Sequence, residues 1–278
     1  MYSPATFQGP IEIAPGFAPR PQLSQVLFDF DGTLSLIREG WAEVMLPMFL
    51  ELLPVLPGEA DESRRQLCWN DIMRLNGKQT IYQMIQLAQR VRERGGTPRE
   101  PLWYKQEFLR RLEARIGPRL EGLRRGTIPS DDLLVAGARP LLELLQRRGV
   151  GLYLASGTDE ADVKSEAELL GLTRYFGRHI YGAQDDYKKF SKQLVIETIL
   201  RENAITGAQL LAFGDGYVEI ENTKAAGGLA VGVASDEAHN GSGRFDEWKL
   251  QRLRSAGADI VIPDFRDAAA LVERIFAT

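Results

Sequence analysis

Two different rhythms of apolar residues divide the chain. Val26-Leu27-Phe28-Asp29-Phe30 is a short apolar run of the kind a buried strand shows, and it stops at Asp31-Gly32-Thr33. From roughly residue 38 to 129 no good strand follows. Apolar positions there recur at helical spacing, most clearly at Ile81, Met84, Ile85, Leu87, Ala88 and Val91. Four helices are predicted, over Glu39–Leu53, Glu62–Leu75, Thr80–Arg94 and Leu102–Ile116, with Pro54, Pro57, Gly77, Gly95-Gly96 and Gly117-Pro118 as punctuation. From about Asp131 helix alternates with buried strand. A helix over Leu133–Arg148 ends at Gly149, and strands follow at Gly151–Ala155, Leu210–Phe213, Ala230–Val233 and Asp259–Ile262. Helices fill the intervals near 159–170, 191–203, 218–226, 244–256 and 267–276. Near-continuous apolar strands separated by helices mark a parallel sheet covered on both faces. The predicted fold is therefore α/β, an open parallel sheet whose first strand is far in sequence from the others and is followed by an all-helical insert. Residues 1–37 and 130–278 form the sheet domain, with 1–25 as an extension, and 38–129 form the insert.

The extension carries Pro4, Pro10, Pro15, Pro19 and Pro21 and lacks a basic start followed by an apolar stretch, so no secretory leader is expected. It reads as a tail over the surface, with Ile11-Glu12-Ile13 as a strand-like piece suited instead to a contact between copies. Over 278 residues, 34 Lys+Arg against 38 Asp+Glu leave a net charge of -4, which argues against nucleic acid or an anionic membrane as the main partner. No apolar run approaches the ~20 residues of a membrane span. One cysteine, Cys68, excludes an internal disulfide and makes the cytoplasm the expected compartment. With His179 and His239 far apart, a Cys/His zinc cluster is excluded too, so any metal must be a hard ion held by carboxylates. A monomer or homodimer is expected.

Ligands of open α/β sheets bind beyond the carboxyl ends of the strands. Three strands here end in Asp29-Phe30-Asp31-Gly32-Thr33, Ser156-Gly157-Thr158 and Gly214-Asp215-Gly216. Two carboxylates from one strand and one from another make an oxygen-rich site suited to Mg²⁺, an ion that neutralises a phosphate and orients it for in-line attack.

These stretches carry a resemblance. Phe28-Asp29-Phe30-Asp31-Gly32-Thr33-Leu34 resembles the first motif of the haloacid dehalogenase-like hydrolase superfamily, Leu154-Ala155-Ser156-Gly157-Thr158 its second, and Phe213-Gly214-Asp215-Gly216-Tyr217-Val218-Glu219-Ile220 its fourth. Asn222-Thr223-Lys224-Ala225-Ala226-Gly227-Gly228 is similar to the helix and glycine turn that follow. The resemblance implies a Rossmann-like core with an inserted helical C1 cap. It implies that Asp29 is the nucleophile, forming an aspartyl-phosphate, and that Asp31 is the general acid and then the general base. It implies that Ser156 and Gly157 bind phosphate and that Asp29, Asp31 through the Phe30-Asp31 backbone, Asp215 and Glu219, directly or through a water, surround Mg²⁺. The second acid of the fourth motif is more often Asp, and Glu219 is a departure. The third-motif lysine is one of Lys188, Lys189 and Lys192; a helix starting near Ser191 favours Lys192, to grip the phosphate.

An acid at position 31 is similar to phosphatases and phosphomutases, and unlike dehalogenases. A C1 cap closes over small substrates, which implies a small phosphorylated metabolite such as a sugar phosphate or phosphoglycolate, hydrolysed as a phosphomonoester. A phosphomutase of the β-phosphoglucomutase type is the alternative, and a non-catalytic binding module a distant third. Asn76-Gly77-Lys78-Gln79-Thr80 is similar to the cap loop that dips into such sites, so Lys78 and Gln79 are candidate substrate contacts; the other reading is a plain turn with Thr80 as N-cap. Arg38, just after the first hinge, is a further candidate contact or else part of a surface salt bridge. Trp41, Trp69, Trp103 and Met84 read as core of the insert.

Overall fold

A computed structural model describes residues 6–184 and 186–278, so Pro4 lies outside the described residues. Seven strands are described: β1 Glu12–Ile13, β2 Gln25–Phe28, β3 Gly151–Asp159, β4 Ile180–Ala183, β5 Leu210–Gly214, β6 Leu229–Val233 and β7 Ile260–Ile262. They form one sheet in the order β1-β7-β6-β5-β2-β3-β4, parallel except for β1. The helices are α1 Trp41–Leu52, α2 Asp61–Arg74, α3 Thr80–Glu93, α4 Pro101–Arg125, α5 Ala138–Arg147, α6 Glu160–Leu169, α7 Thr173–Phe176, α8 Lys192–Glu202, α9 Tyr217–Ala225, α10 Glu247–Ser255 and α11 Ala268–Ile275. None is long and apolar enough to cross a membrane.

Alternation along the strands builds both faces. Val26 and Phe28 of β2 pack with Leu152, Leu154, Leu211, Phe213 and Val231 against α5, α6 and α11. Leu27 points the other way, with Tyr153, Ala155, Leu210 and Ala212, against Val195, Ile196 and Ile199 of α8. Ile220 of α9 and Leu250 and Leu253 of α10 cover β6 and β7 on that same side. Because both faces are dry, the strands read as continuous apolar runs. Directly beneath the edge that matters for chemistry, the Phe28 ring stacks on Phe213 at 4.8 Å and meets Phe176 edge-on at 6.0 Å. Removing such a ring costs about 3–5 kcal/mol.

The chain passes between sheet and helical insert twice, and the two passages are hydrogen-bonded to each other. Leu36 N–H donates to the Leu133 carbonyl at 2.9 Å, Val135 N–H donates to the Leu34 carbonyl at 3.0 Å, and Ser35 bridges Leu134. This pairing corrects one expected boundary: Leu134 and Val135 are extended, so α5 begins at Ala138 rather than Leu133. A second difference is α4, which runs on through Gly117-Pro118 to an αL cap at Gly126. Pro118 loses one backbone bond, but buried Ile116 and Leu120 flank it. The neighbouring Arg119 guanidinium donates to the Ile37 carbonyl at 2.8 Å and the Glu39 carbonyl at 2.9 Å, tying the helix to the first passage. Strand β4 went unpredicted, being only four residues long with a glycine inside.

The strand-like piece near the N-terminus uses its hydrogen bonds within the chain. Glu12 and Ile13 pair antiparallel with Val261 and Ile260 of β7, Ala14 N–H reaches the Asp259 carbonyl at 2.9 Å, and Glu12 pairs with Arg254. It therefore lies along β7 as the outermost strand of the sheet.

Candidate active site

The register of the central strands sets the floor of the site. Phe28 is level with Leu154 and Phe213, so Asp29, Ala155 and Gly214 emerge side by side at the carboxyl edge. Asp29 N–H still bonds the Phe213 carbonyl at 2.9 Å, and its side chain is buried. Beyond it the chain turns tightly, with the Phe30 carbonyl accepting from Leu34 and Ser35. Gly32 sits at φ +73, and a Cβ there would lie 2.3 Å from Asp215 Oδ2 and 2.9 Å from Glu237 Oε1. Only glycine admits those two carboxylates so close to the turn. Thr33 fastens the arrangement by accepting from Asp215 N–H at 2.9 Å.

Lys192 opens α8 immediately after Ser191, whose hydroxyl caps the helix by accepting from Leu194 N–H at 3.1 Å. Its ammonium donates to Asp29 Oδ1 at 2.7 Å and also pairs with Glu219, whose carboxylate has no other partner. Lys188 and Lys189 are exposed on the turn before it, Lys189 lying 3.5 Å from Asp186. Burial raises Asp29 to about 7; the Lys192 ammonium pulls it down, while Asp215 and Asp31 push it further up. Glu219, expected among the metal ligands, is paired with Lys192 in this structure. From the first turn of α9 its side chain folds back over Gly214 and Gly216, behind Lys192 and off the cavity wall.

Asp31 is held on one oxygen only. Ser156 Oγ donates to Oδ2 at 3.0 Å and Thr158 Oγ1 donates to the same atom at 2.8 Å, while buried Oδ1 has no hydrogen-bond partner. The Arg38 guanidinium faces Oδ1, with Nε at 3.9 Å. Arg38 is buried and forks onto Glu166 at 2.6–3.3 Å, with Asp162 at 3.2 Å. Burial raises Glu166 to about 7 against the opposing pull of Arg38. Arg38 therefore lines the cavity and also makes the salt bridge that was its other reading, though a buried one to acids of α6 rather than one at the surface.

A third buried cation was unforeseen. Lys249 of α10 lies behind the floor, 2.9 Å from Asp215 Oδ2, 2.6 Å from Glu237 Oε1 and 2.9 Å from Ser235 Oγ. Burial works against its charge, yet Asp215 and Glu237 outweigh burial and hold the ammonium firmly protonated. The available signal was slight: Lys249 shares a helix face with the buried Leu250 and Leu253.

Opposite this floor stands the helical insert. The cavity between them, about 650 Å³ with its mouth, is walled by Trp41, Met45, Phe108 and Leu112 with Asn76, Gly77, Lys78, Thr80 and Gln83 on one side, and by Asp29, Asp31, Arg38, Ser156, Gly157, Thr158, Lys192, Asp215 and Glu237 on the other. The loop from Asn76 to Gln79 descends onto the sheet edge. A Cβ on Gly157 would come within 2.7 Å of the Lys78 carbonyl, so glycine permits the approach. Of the two loop side chains singled out in sequence, Lys78 lies at the cavity mouth, 5.9 Å over the Tyr82 ring. Gln79 points away and latches insert to sheet domain, its amide donating to the carbonyls of Tyr187 at 2.9 Å and Phe190 at 2.7 Å. Arg252 adds a second latch, donating to the carbonyls of Met73 at 2.7 Å and Arg74 at 2.9 Å. Met84 is core as expected and Trp69 packs against it, but Trp41 faces the cavity and Trp103 is exposed beside Arg99.

A hard divalent cation suits the donor set. Asp29 and Asp215 offer carboxylate oxygens to one cavity, and Asp31, whose backbone is the expected third donor, lines it with them. Among the described residues no three acids are yet drawn to ligating distance of one point. Lys192 pairs with one oxygen of Asp29 and Lys249 with one oxygen of Asp215.

A family model described as haloacid dehalogenase-like hydrolase matches residues 24–227, most of the chain. A comparison with curated protein sequences found no match. Among solved structures, the chain is similar to a predicted phosphoglycolate phosphatase from Haemophilus somnus 129PT, at 17% identity and a TM-score of 0.59 over 90% of this chain and 98% of that one. It is similar to a predicted phosphatase from Clostridium acetobutylicum, at 16% identity and TM-score 0.58, covering 90% and 98%. The β-phosphoglucomutase of Clostridium difficile follows at 14% identity and TM-score 0.55, covering 87% and 91%. At these identities the likeness shows the fold.

Proposed function

The chain belongs to the haloacid dehalogenase-like hydrolase family, and from that premise we propose that it is a Mg²⁺-dependent phosphomonoesterase acting on a small phosphorylated metabolite. The observation that carries this reading is the pairing of Asp29, its charge supported by Lys192 at 2.7 Å, with Asp31, held two residues on by two hydroxyl donors. Asp29 attacks phosphorus, the phosphorus–oxygen ester bond breaks, and Asp31 delivers a proton to the departing alcohol oxygen. Ser156 and Thr158 both donate to Oδ2, so the transferable proton belongs on Oδ1, the oxygen with no partner. Asp31, now a carboxylate, takes a proton from water as that water attacks the phosphorus, and the bond to Asp29 breaks to release phosphate. Lys192, with Ser156 once the substrate is bound, steadies the phosphoryl oxygens. Mg²⁺, held by the carboxylates of Asp29 and Asp215 and the backbone of Asp31, would offset the charge of the transferring phosphoryl group. The helical insert acts as a cap whose apolar wall, Trp41, Met45, Phe108 and Leu112, keeps bulk water off the reacting centre.

Purified protein with Mg²⁺ is tested against a panel of phosphorylated metabolites, sugar phosphates and phosphoglycolate among them. Phosphate release that disappears in Asp29→Asn is expected; no release by the wild type, or undiminished release by the variant, defeats the proposal. The likeness to β-phosphoglucomutase makes one further outcome informative: isomerisation of a sugar phosphate without net phosphate release would reassign the same residues to a mutase.

A further inference from the structure

Each acid of the cavity floor touches a buried cation, and each of those cations touches a second acid. Lys192 stands between Asp29 and Glu219, and Arg38 between Asp31 and Glu166. Lys249 stands between Asp215 and Glu237. The first two pairings set the proton chemistry and the phosphate grip already described. The third has no place in either. Lys249 does not reach the cavity, its ammonium being enclosed by Asp215, Glu237 and Ser235. A lysine buried this deeply loses its hydration, and a helix at the surface has no structural need to bury one. Ser235, which accepts from Lys249, donates in turn to the Gly32 carbonyl at 2.6 Å, so the group is fastened to the turn that carries Asp31.

We propose that Lys249 and Glu237 form a charge counterweight that sets the divalent-cation affinity of Asp215. Lys249 holds Asp215 by Oδ2 and subtracts from its negative field; Glu237 cancels that subtraction and keeps the field of the floor strong enough for a cation. Two consequences of opposite sign follow. Removing the Glu237 charge leaves the ammonium to act on Asp215 alone, and the cation binds more weakly. Removing the Lys249 charge leaves two carboxylates facing one point, and the cation binds more tightly. Merely structural residues would weaken binding in both cases. At one carboxylate's distance in a partly buried site, a unit charge acting on a divalent ion shifts affinity by about tenfold or more.

The inference rests on the cation of the functional reading, and its test avoids turnover. Mn²⁺ is titrated into the full chain at pH 8 without substrate, free ion being followed by its paramagnetic resonance signal, and folding by circular dichroism. Glu237→Gln is expected to weaken Mn²⁺ binding about tenfold, Lys249→Met to tighten it about tenfold, and the double variant to return within about threefold of wild type. Lys249→Arg, which keeps the charge, stays within about threefold. Shifts in the same direction in both single variants, or none beyond about twofold in Glu237→Gln, overturn the counterweight. If Lys249→Met does not fold, Glu237→Gln and Lys249→Arg still decide. Absent Mn²⁺ binding by the wild type overturns it as well; phosphate release that survives chelation would by contrast sink the cation in the functional reading while leaving the hydrolase.

Discussion

Along the sheet edge, ionisable groups that face the cavity are held by neighbours; across from them, the helical wall offers rings and methyl groups with a few amides and hydroxyls between. Asp29, Asp31 and Asp215 are fixed by Lys192, by Ser156 and Thr158, and by Lys249. Trp41, Met45, Phe108 and Leu112 contribute shape. Groups whose position is dictated from several sides are suited to a reaction with one stringent geometry. A surface of packed apolar side chains is suited to sorting substrates by fit, since volume changes are tolerated there at modest cost. The floor therefore should govern the rate of the chemical step and the wall the choice of leaving group.

The sharpest way to break this division is Asp31→Asn. With an alkyl phosphate, phosphate release should fall about 10²–10⁴-fold, the usual worth of general acid–base catalysis. With 4-nitrophenyl phosphate, whose leaving group needs no proton, the fall in the first step should be much smaller; equal losses would remove Asp31 from its role. On the wall, Phe108→Ala should raise KM about tenfold for the best substrate of the panel and alter kcat little, as loss of binding shared by ground and transition states requires. A larger effect on kcat than on KM would mean that the wall takes part in chemistry. Gln79→Leu breaks the latch between the two sides, and a shift of about threefold in kcat and KM together is expected from steady-state kinetics.

The smallest effect concerns stability. Burial lifts Glu166 from its ordinary value to about 7 in the folded chain. Such a group binds more protons folded than unfolded, so its contribution to stability is complete below about 4.5 and is lost as pH rises toward about 7. Asp29, also raised to about 7, adds in the same sense. The metal-free protein should melt a few degrees lower at pH 8 than at pH 5, and Glu166→Gln should reduce that difference; an unchanged slope would show that Glu166 is not protonated on folding.

How much of this was legible in the sequence follows from what each feature depends on. Strand β2 and its acids were plain because a dry parallel strand must be a run of apolar residues and must end where its ligands begin. Lys192 was identifiable among three lysines because a helix start needs a cap, and Ser191 supplies one. Lys249, Glu237 and Glu166 were invisible as site residues, and so was the bond from Thr158 to Asp31, for these contacts lie 12–128 positions apart and no local spacing encodes them. The pairing of Glu219 with Lys192 was hidden for a related reason. The acid's position on α9 was foreseen, but not the turn of the side chain beneath Lys192, which depends on the bare backbone of Gly214 and Gly216. The helix over Gly117-Pro118 was cut short on paper because local propensity was read without the anchoring of Arg119.

The hydrogen-bonded pair of passages at Leu34–Leu36 and Leu133–Val135 has an evolutionary corollary. Since everything between them leaves and re-enters through one narrow ribbon, the intervening helices behave as an exchangeable cassette with adjacent ends. A different cassette spliced at that ribbon would still face the acid-bearing sheet edge, but it would need its own partners for Gly157, for Arg252 and for the Tyr187 and Phe190 carbonyls.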